Sequence, residues 1–192
     1  MQISDELVIG EVSSDSQWHH KNPNFCTMQV ERGEAVERGT YVRIQDEGLG
    51  KAFIGRIVDG PYFVSGESQA ISGATIRPLQ KLCTIELTSI LVNGQRSLVQ
   101  TRPAPGSKAF IMAASSVQEY IGAAGDLSLG RLASDKKVKL HIDSRTLNRH
   151  LGVFGTTGSG KSNTLQVITE EASRAGLCVL IFDVEGEYVK LN

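Results

Sequence analysis

The octapeptide Gly155-Thr156-Thr157-Gly158-Ser159-Gly160-Lys161-Ser162 constrains this chain more than any other stretch. It fits the phosphate-binding loop pattern G-x-x-x-x-G-K-[ST], and its context fits as well as its spelling. An apolar run, Leu151 to Phe154, leads into it, and a helix-forming run, Ser162 to Ala175, leads out, with Gly176 as the helix stop. Strand, glycine loop and helix, in that order, aim successive backbone N–H groups and a helix N-terminus at one point, where an anion is stabilised. Gly155, Gly158 and Gly160 let the backbone turn tightly and approach phosphate without a Cβ. N–H groups from Gly158 to Ser162 are expected to cradle the phosphates of ATP, Lys161 to reach the β- and γ-oxygens, and the Ser162 hydroxyl to ligate Mg²⁺. Thr156, Thr157, Ser159 and Asn163 complete the expected nucleotide-binding set. The competing explanation is a glycine-rich turn that matches by coincidence, and the flanking pattern argues against it.

A second apolar run, Cys178 to Val184, reads as the next strand, and with the first it predicts the opening of a parallel α/β domain with a right-handed crossover. Asp183 follows the apolar stretch Val179 to Phe182 and is itself followed by Val184-Glu185-Gly186-Glu187-Tyr188. An acid at the C-terminal end of a parallel strand lies on the ligand-binding face of an open α/β sheet. Asp183 and Glu187 are therefore candidates for the metal or the attacking water, and the alternative is an acidic turn that solvates a strand end. Arg149 and His150, just before the loop, could touch nucleotide, or be a surface arginine and a packed histidine. His19, His20 and His141 have no partners at metal-ligand spacing. Lys136-Lys137-Val138-Lys139 reads as a solvated strand edge in preference to a DNA patch.

The first hundred or so residues have a different character. Short β-prone runs recur at Leu7–Val12, Cys26–Val30, Thr40–Gln45, Ala52–Val58, Leu82–Val92 and Ser97–Thr101, separated by turn signals such as Asp59-Gly60-Pro61. Asn93-Gly94 between two of them is a strong hairpin signal, because both turn positions want a positive φ. The pattern predicts a small barrel or sandwich. Ser13–Asn24 and Ser65–Thr75 read as surface loops, Gly122–Ala133 as connector, Lys108–Ile121 as a strand and short helix, and Val138–Ile142 as a strand. The Arg102-Pro103-Ala104-Pro105-Gly106 segment marks the joint, giving a β domain over 1–106 and a partial P-loop domain over 107–192.

Composition mainly excludes. A net charge of −1 offers no global basic signature, so a nucleic-acid partner cannot be argued from charge. There is no signal-peptide pattern and no apolar run long enough for a membrane span. Three widely spaced cysteines, Cys26, Cys83 and Cys178, fit neither a zinc site nor a disulfide framework and read as reduced, packed thiols of a cytoplasmic protein.

The segment from His150 through the glycine loop to Asn163, followed by Ile181-Phe182-Asp183-Val184-Glu185-Gly186-Glu187-Tyr188, resembles the HerA family of DNA translocases in the HerA–FtsK group. Members read roughly as His, apolar strand and GTTGSGKS, then apolar strand and D-P-H-G-E-Y. Here Val184 and Glu185 stand in place of the Pro-His pair, while Asp183, Gly186, Glu187 and Tyr188 match. The front of the chain is similar, less specifically, to the family's N-terminal barrel, shared with rotary ATP synthase subunits. The resemblance implies a small N-terminal β-barrel followed by the beginning of a RecA-like α/β P-loop domain. It implies a homo-hexameric ring ATPase that pumps double-stranded DNA with a nuclease or other effector docked on the barrel side. Lys161 and Ser162 would serve nucleotide and Mg²⁺, Asp183 would be an active-site acid, and Arg149 a nucleotide or arginine-finger position.

The chain ends at Asn192 without a later strand ending in Asp-Glu, so a fragment without turnover of its own is expected. An assembly or partner-docking module without ATPase activity is the main alternative. A rotary ATPase subunit would carry a loop closer to G-G-x-G-x-G-K-T, and a small-molecule kinase would place its loop near the N-terminus.

Overall fold

The computed structural model describes residues 7–14, 22–31, 36–65, 69–71, 74–76, 79–122, 124–184, 186 and 188, with backbone alone for 69–71 and 74–76. The chain divides into two compact units, Met1–Ala113 and Ala114–Asn192. The Arg102–Gly106 segment lies within the first unit, because the chain continues past it into a strand of the barrel.

In the first unit β1 (Val8–Val12), β2 (Phe25–Val30), β3 (Tyr41–Asp46), β4 (Lys51–Ser65), β5 (Gln69–Ile71), β6 (Ala74–Ile76), β7 (Leu79–Val92), β8 (Gln95–Ser97) and β9 (Lys108–Ile111) follow in order. The sheet runs β2-β1-β9-β3-β4-β7, and β2 pairs back onto β7, which closes a six-stranded barrel of antiparallel pairs. Closure leaves no open edge among those six strands. Alternate side chains fill the interior: Ile9, Met28, Val42, Ile44, Phe53, Ile57, Cys83, Ile85 and Ala109 are fully buried in one cluster. Burying each such aliphatic or aromatic side chain contributes roughly 1.5–3 kcal/mol.

Asp46 plugs one end of this barrel. It is 1% exposed, and its two oxygens accept from the amides of Leu49 (2.9 Å) and Ala104 (2.7 Å), so one carboxylate ties the β3–β4 turn to the segment before β9. The expected Asn93-Gly94 hairpin is present: Asn93 has φ 51° and Gly94 φ 77°, and β7 pairs with β8 through Val92 and Gln95.

Three expectations change, the first being the run expected over Ser97–Thr101, which stops at Ser97, the last residue of β8. Asp59-Gly60-Pro61 is not a turn; β4 runs through it, with register shifts at Ile57/Asp59 and Asp59/Tyr62. A bulge is where a strand tolerates proline, which cannot donate to the ladder. Within the presumed loop Ser65–Thr75, β5 and β6 pair as a short antiparallel hairpin.

The second unit holds α1 (Ala114–Tyr120), β10 (Leu127–Arg131), β11 (Lys139–Ile142), a 3-10 turn over Ser144–Asn148 and α2 (Lys161–Arg174). Strand β10 falls in the stretch expected to be connector; it pairs antiparallel with β11 and lies against α2. Ile168 and Ala172, one helical turn apart, form the buried stripe of α2. The Glu171 carboxylate accepts the Ser128 amide at 2.9 Å and is bridged by Arg174, and both contacts hold its pKa below the usual carboxylate range, the amide first.

The two strands expected to flank the glycine loop do not form. Residues 151–154 and 177–184 carry no strand, and no parallel pair occurs among the described residues. Phe154 is 93% exposed and Phe182 86%. β-propensity supplies a side-chain preference, but a strand needs neighbouring strands to pair with and faces to cover it, and neither segment has them here.

Candidate nucleotide-binding site

The end of α2 shows how closely local sequence sets this region. Gly176, at φ 80°, follows the Ala175 cap; its amide bonds the Ser173 carbonyl at 3.0 Å, and the Leu177 amide bonds the Ala172 carbonyl at 3.0 Å. These two bonds are a Schellman end, which satisfies carbonyls the helix would otherwise leave open. The other end has no comparable closure. Gly160, the N-cap, has φ 91° and supplies no side-chain cap. The first turn of any helix leaves N–H groups without intrahelical acceptors, and the helix dipole makes that end attractive to negative charge.

The loop before α2 curls back on itself. The Ser159 amide bonds the Thr156 carbonyl at 3.2 Å, and Gly158 sits at φ 78°. Gly155 is required for a different reason: a Cβ there would fall 2.3 Å from Ser159 Oγ and 3.2 Å from Ser159 Cβ. Lys161 folds inward, its Nζ donating to the Thr156 carbonyl at 2.9 Å. Thr164 Oγ1 donates to the Gly160 carbonyl at 3.1 Å, a contact that pins the first turn of α2 and that sequence reading had not singled out. A hydroxyl four residues after a helix-starting glycine was the available signal.

Residues 155–160 are exposed, as are Thr156, Thr157, Ser159 and Asn163 individually, while Lys161 and Ser162 are half-buried. The donor set is therefore a concentrated one: loop amides, a helix N-terminus, one ammonium and one hydroxyl within consecutive residues. This set fits a polyphosphate, with the Ser162 hydroxyl as the oxygen that would ligate Mg²⁺.

The other expected site residues behave differently. Asp183 accepts the Gly186 amide at 2.9 Å on Oδ1 and the Tyr188 amide at 2.8 Å on Oδ2, so its carboxylate shapes the turn that follows it. Glu185 and Glu187 lie outside the described residues. Arg149 closes the 3-10 turn through its amide to the Thr146 carbonyl (3.2 Å) and its side chain is exposed. Asp143 caps the other end of that turn; side-chain and backbone hydrogen bonds from Arg145 hold its carboxyl at about 2. His19 and His20 lie outside the described residues; among the described residues no group of three or more His, Cys, Asp or Glu could hold a metal. Cys26 and Cys83 are buried, as expected, but Cys178 is exposed, because the segment carrying it has no covering neighbour. No described helix is long and apolar enough to cross a membrane.

Residues 127–192 match the family model for the central domain of helicase HerA. The chain is 33% identical over 97 residues to a probable helicase of Methanocaldococcus jannaschii, covering 50% of this chain and 19% of that relative. It is 42% identical over 66 residues to the DNA double-strand break repair helicase HerA of Sulfolobus acidocaldarius, covering 34% of this chain and 13% of the relative. The same identity holds over 64 residues for the HerA of Saccharolobus solfataricus, covering 33% and 13%. The chain thus spans less than a fifth of the length of these relatives. The matched region contains the curled glycine loop, α2 and the Asp183 turn, and over that region the chain is similar to the HerA helicases.

Proposed function

We propose that this chain carries the barrel and the nucleotide-binding segment of an ATP-driven translocase of double-stranded DNA, one that works as a homo-hexamer in the cytoplasm with a nuclease or other effector docked on the barrel side. The observation that carries the nucleotide part is the curl of Gly155–Lys161, with the Lys161 ammonium already turned toward the loop interior at 2.9 Å from the Thr156 carbonyl. In this reading loop amides from Gly158 to Ser162 hold the phosphates, Lys161 neutralises them, and Ser162 ligates Mg²⁺. The region is read as the opening of a RecA-like core. Asp183 acts first by fixing its turn, and Glu187, further along the sequence, is the other acid assigned to Mg²⁺ or to the attacking water. Arg149, exposed after the 3-10 turn, is available to a nucleotide in its own or a neighbouring subunit. The DNA part of the reading draws on relatives that are DNA double-strand break repair helicases, and the hexamer and effector parts extend the resemblance carried by the glycine loop and the Asp183 segment.

The test is a titration of the chain with a fluorescent ATP analogue and Mg²⁺, against Lys161→Ala. Saturable binding that falls at least tenfold in the variant is expected; equal affinity in both proteins refutes the assignment. A second reading, an assembly module that binds no nucleotide, is favoured by one observation: the segments flanking the loop form no strands. Light scattering separates its central claim, since a barrel unit (1–113) that stays monomeric at high concentration removes it.

A further inference from the structure

The tip of the β10–β11 hairpin concentrates positive charge in a chain of net charge −1. Between Arg131 and Lys139 lie four cations, Arg131, Lys136, Lys137 and Lys139, all exposed, and one acid, Asp135. That acid is occupied locally, its Oδ1 accepting the Lys137 amide at 2.9 Å. Among the described residues none of the four cations enters an ion pair. The register places Arg131 directly opposite Lys139, with the Leu132 amide bonded to the Val138 carbonyl at 2.9 Å just beyond. Like charges facing each other across an antiparallel pair are unfavourable. A lysine that only blocks a strand edge needs no cation opposite it, so this placement lacks a purely structural reason. The hairpin is nonetheless well held: Val138 is fully buried, Arg131 Nη1 donates to the Lys136 carbonyl at 3.3 Å, and the Lys139 amide reaches Gln118 Oε1 at 3.4 Å.

We propose that this hairpin tip is a contact for the phosphodiester backbone of double-stranded DNA, an inference that rests on the DNA-translocase reading and names a surface for it. A polyanion brought between Arg131 and Lys139 turns a repulsive pair into two attractive contacts. Stretch 131–139 contains no aromatic residue, so it has no platform on which unpaired bases could stack. It carries no Asn or Gln to read base edges, which leaves sequence-independent contact with phosphates. Each phosphate neutralised adds about 0.9 to the slope of log affinity against log salt.

The experiment measures anisotropy of a labelled duplex of arbitrary sequence with the 192-residue chain and with Lys136→Gln/Lys137→Gln/Lys139→Gln, across 50–200 mM salt (about the range over which such contacts weaken steeply). Arg131 is left intact to preserve its bond to Lys136. The expected result is at least a tenfold loss of affinity at the lowest salt and a slope shallower by about 2.7, three contacts at 0.9 each. Circular dichroism and the melting curve should coincide with the parent's. A variant that keeps parental affinity and slope while the parent binds DNA overturns the hairpin proposal and leaves the translocase reading standing. A parent that binds no duplex even at low salt overturns both. Preference for a single strand, or for polyglutamate as a mimic of an acidic protein, overturns the choice of duplex.

Discussion

Gly155→Ala isolates the closure of the glycine loop from every other property of the site. Gly155 does not have a positive φ, so alanine meets no backbone penalty there. The new Cβ falls 2.3 Å from Ser159 Oγ and 3.2 Å from Ser159 Cβ, with Lys161 Cγ at an ordinary 3.4 Å. Rotation of the Ser159 hydroxyl relieves the first contact and leaves the 3.2 Å approach to Ser159 Cβ for the exposed loop to absorb, at the low end of overpacking costs, about 1 kcal/mol. The loop is exposed, so opening it disturbs no core, and the melting temperature should hold. Nucleotide affinity should instead fall roughly fivefold, the same energy at 1.4 kcal/mol per decade. Ser159→Gly in the same chain removes both clashing atoms and should restore most of the affinity. Gly160→Ala supplies the contrast. Its Cβ has nothing within 4 Å but its φ is 91°, so its loss is conformational and Ser159→Gly cannot rescue it. Fluorescent-ATP titration of the four variants reads all of this. Parental affinity in Gly155→Ala, or rescue of both variants alike, refutes the reasoning.

Asp46→Ala should lower the urea midpoint of the barrel by an amount equivalent to about 2–4 kcal/mol, because the amides of Leu49 and Ala104 lose a buried acceptor together. An unchanged midpoint would mean the barrel end is solvated. Asp143 has a folded pKa of about 2, below its ordinary value, so its stabilising effect on the 3-10 turn is present above about pH 4 and is lost as pH falls toward 2. An NMR titration should find that midpoint, and Arg145→Gln should move it upward. A thiol-specific reagent at pH 8 should label Cys178 rapidly and leave Cys26 and Cys83 untouched until denaturant is added, since burial pushes those thiols up to about 12 and about 11. Fast labelling of more than one thiol in the folded chain would contradict the closed barrel.

Local features were readable and paired ones were not. The Asn93-Gly94 turn and the helix stop at Gly176 each depend on a few adjacent residues whose backbone preferences leave little choice. Alternation along β2 and β3 announced strands, but closure through β2 and β7 joins residues about sixty apart, and no local pattern encodes that. Strand β10 was missed because Gly130 interrupts its alternation with a bulge and because a carboxylate on α2, Glu171, holds its backbone. Apolar runs at 151–154 and 178–184 misled in the opposite direction. They record what the side chains favour when covered, and coverage is supplied by other segments. Within the site, glycine spacing located the loop, while the acceptors of Asp183 and Lys161 became visible only in three dimensions.

In the proposed nucleotide-binding reading, the inward fold of Lys161 changes what an arriving phosphate has to accomplish. The four-carbon stem is already ordered, so little side-chain entropy remains to be lost at the moment of capture. One of three ammonium donors rests on a neutral peptide oxygen and is exchanged for, or shared with, an anionic one. The net gain is the difference between a charge-assisted contact and an ordinary one. In that reading, truncation of the lysine reports the difference, and the loop holds its cation in place before any guest arrives.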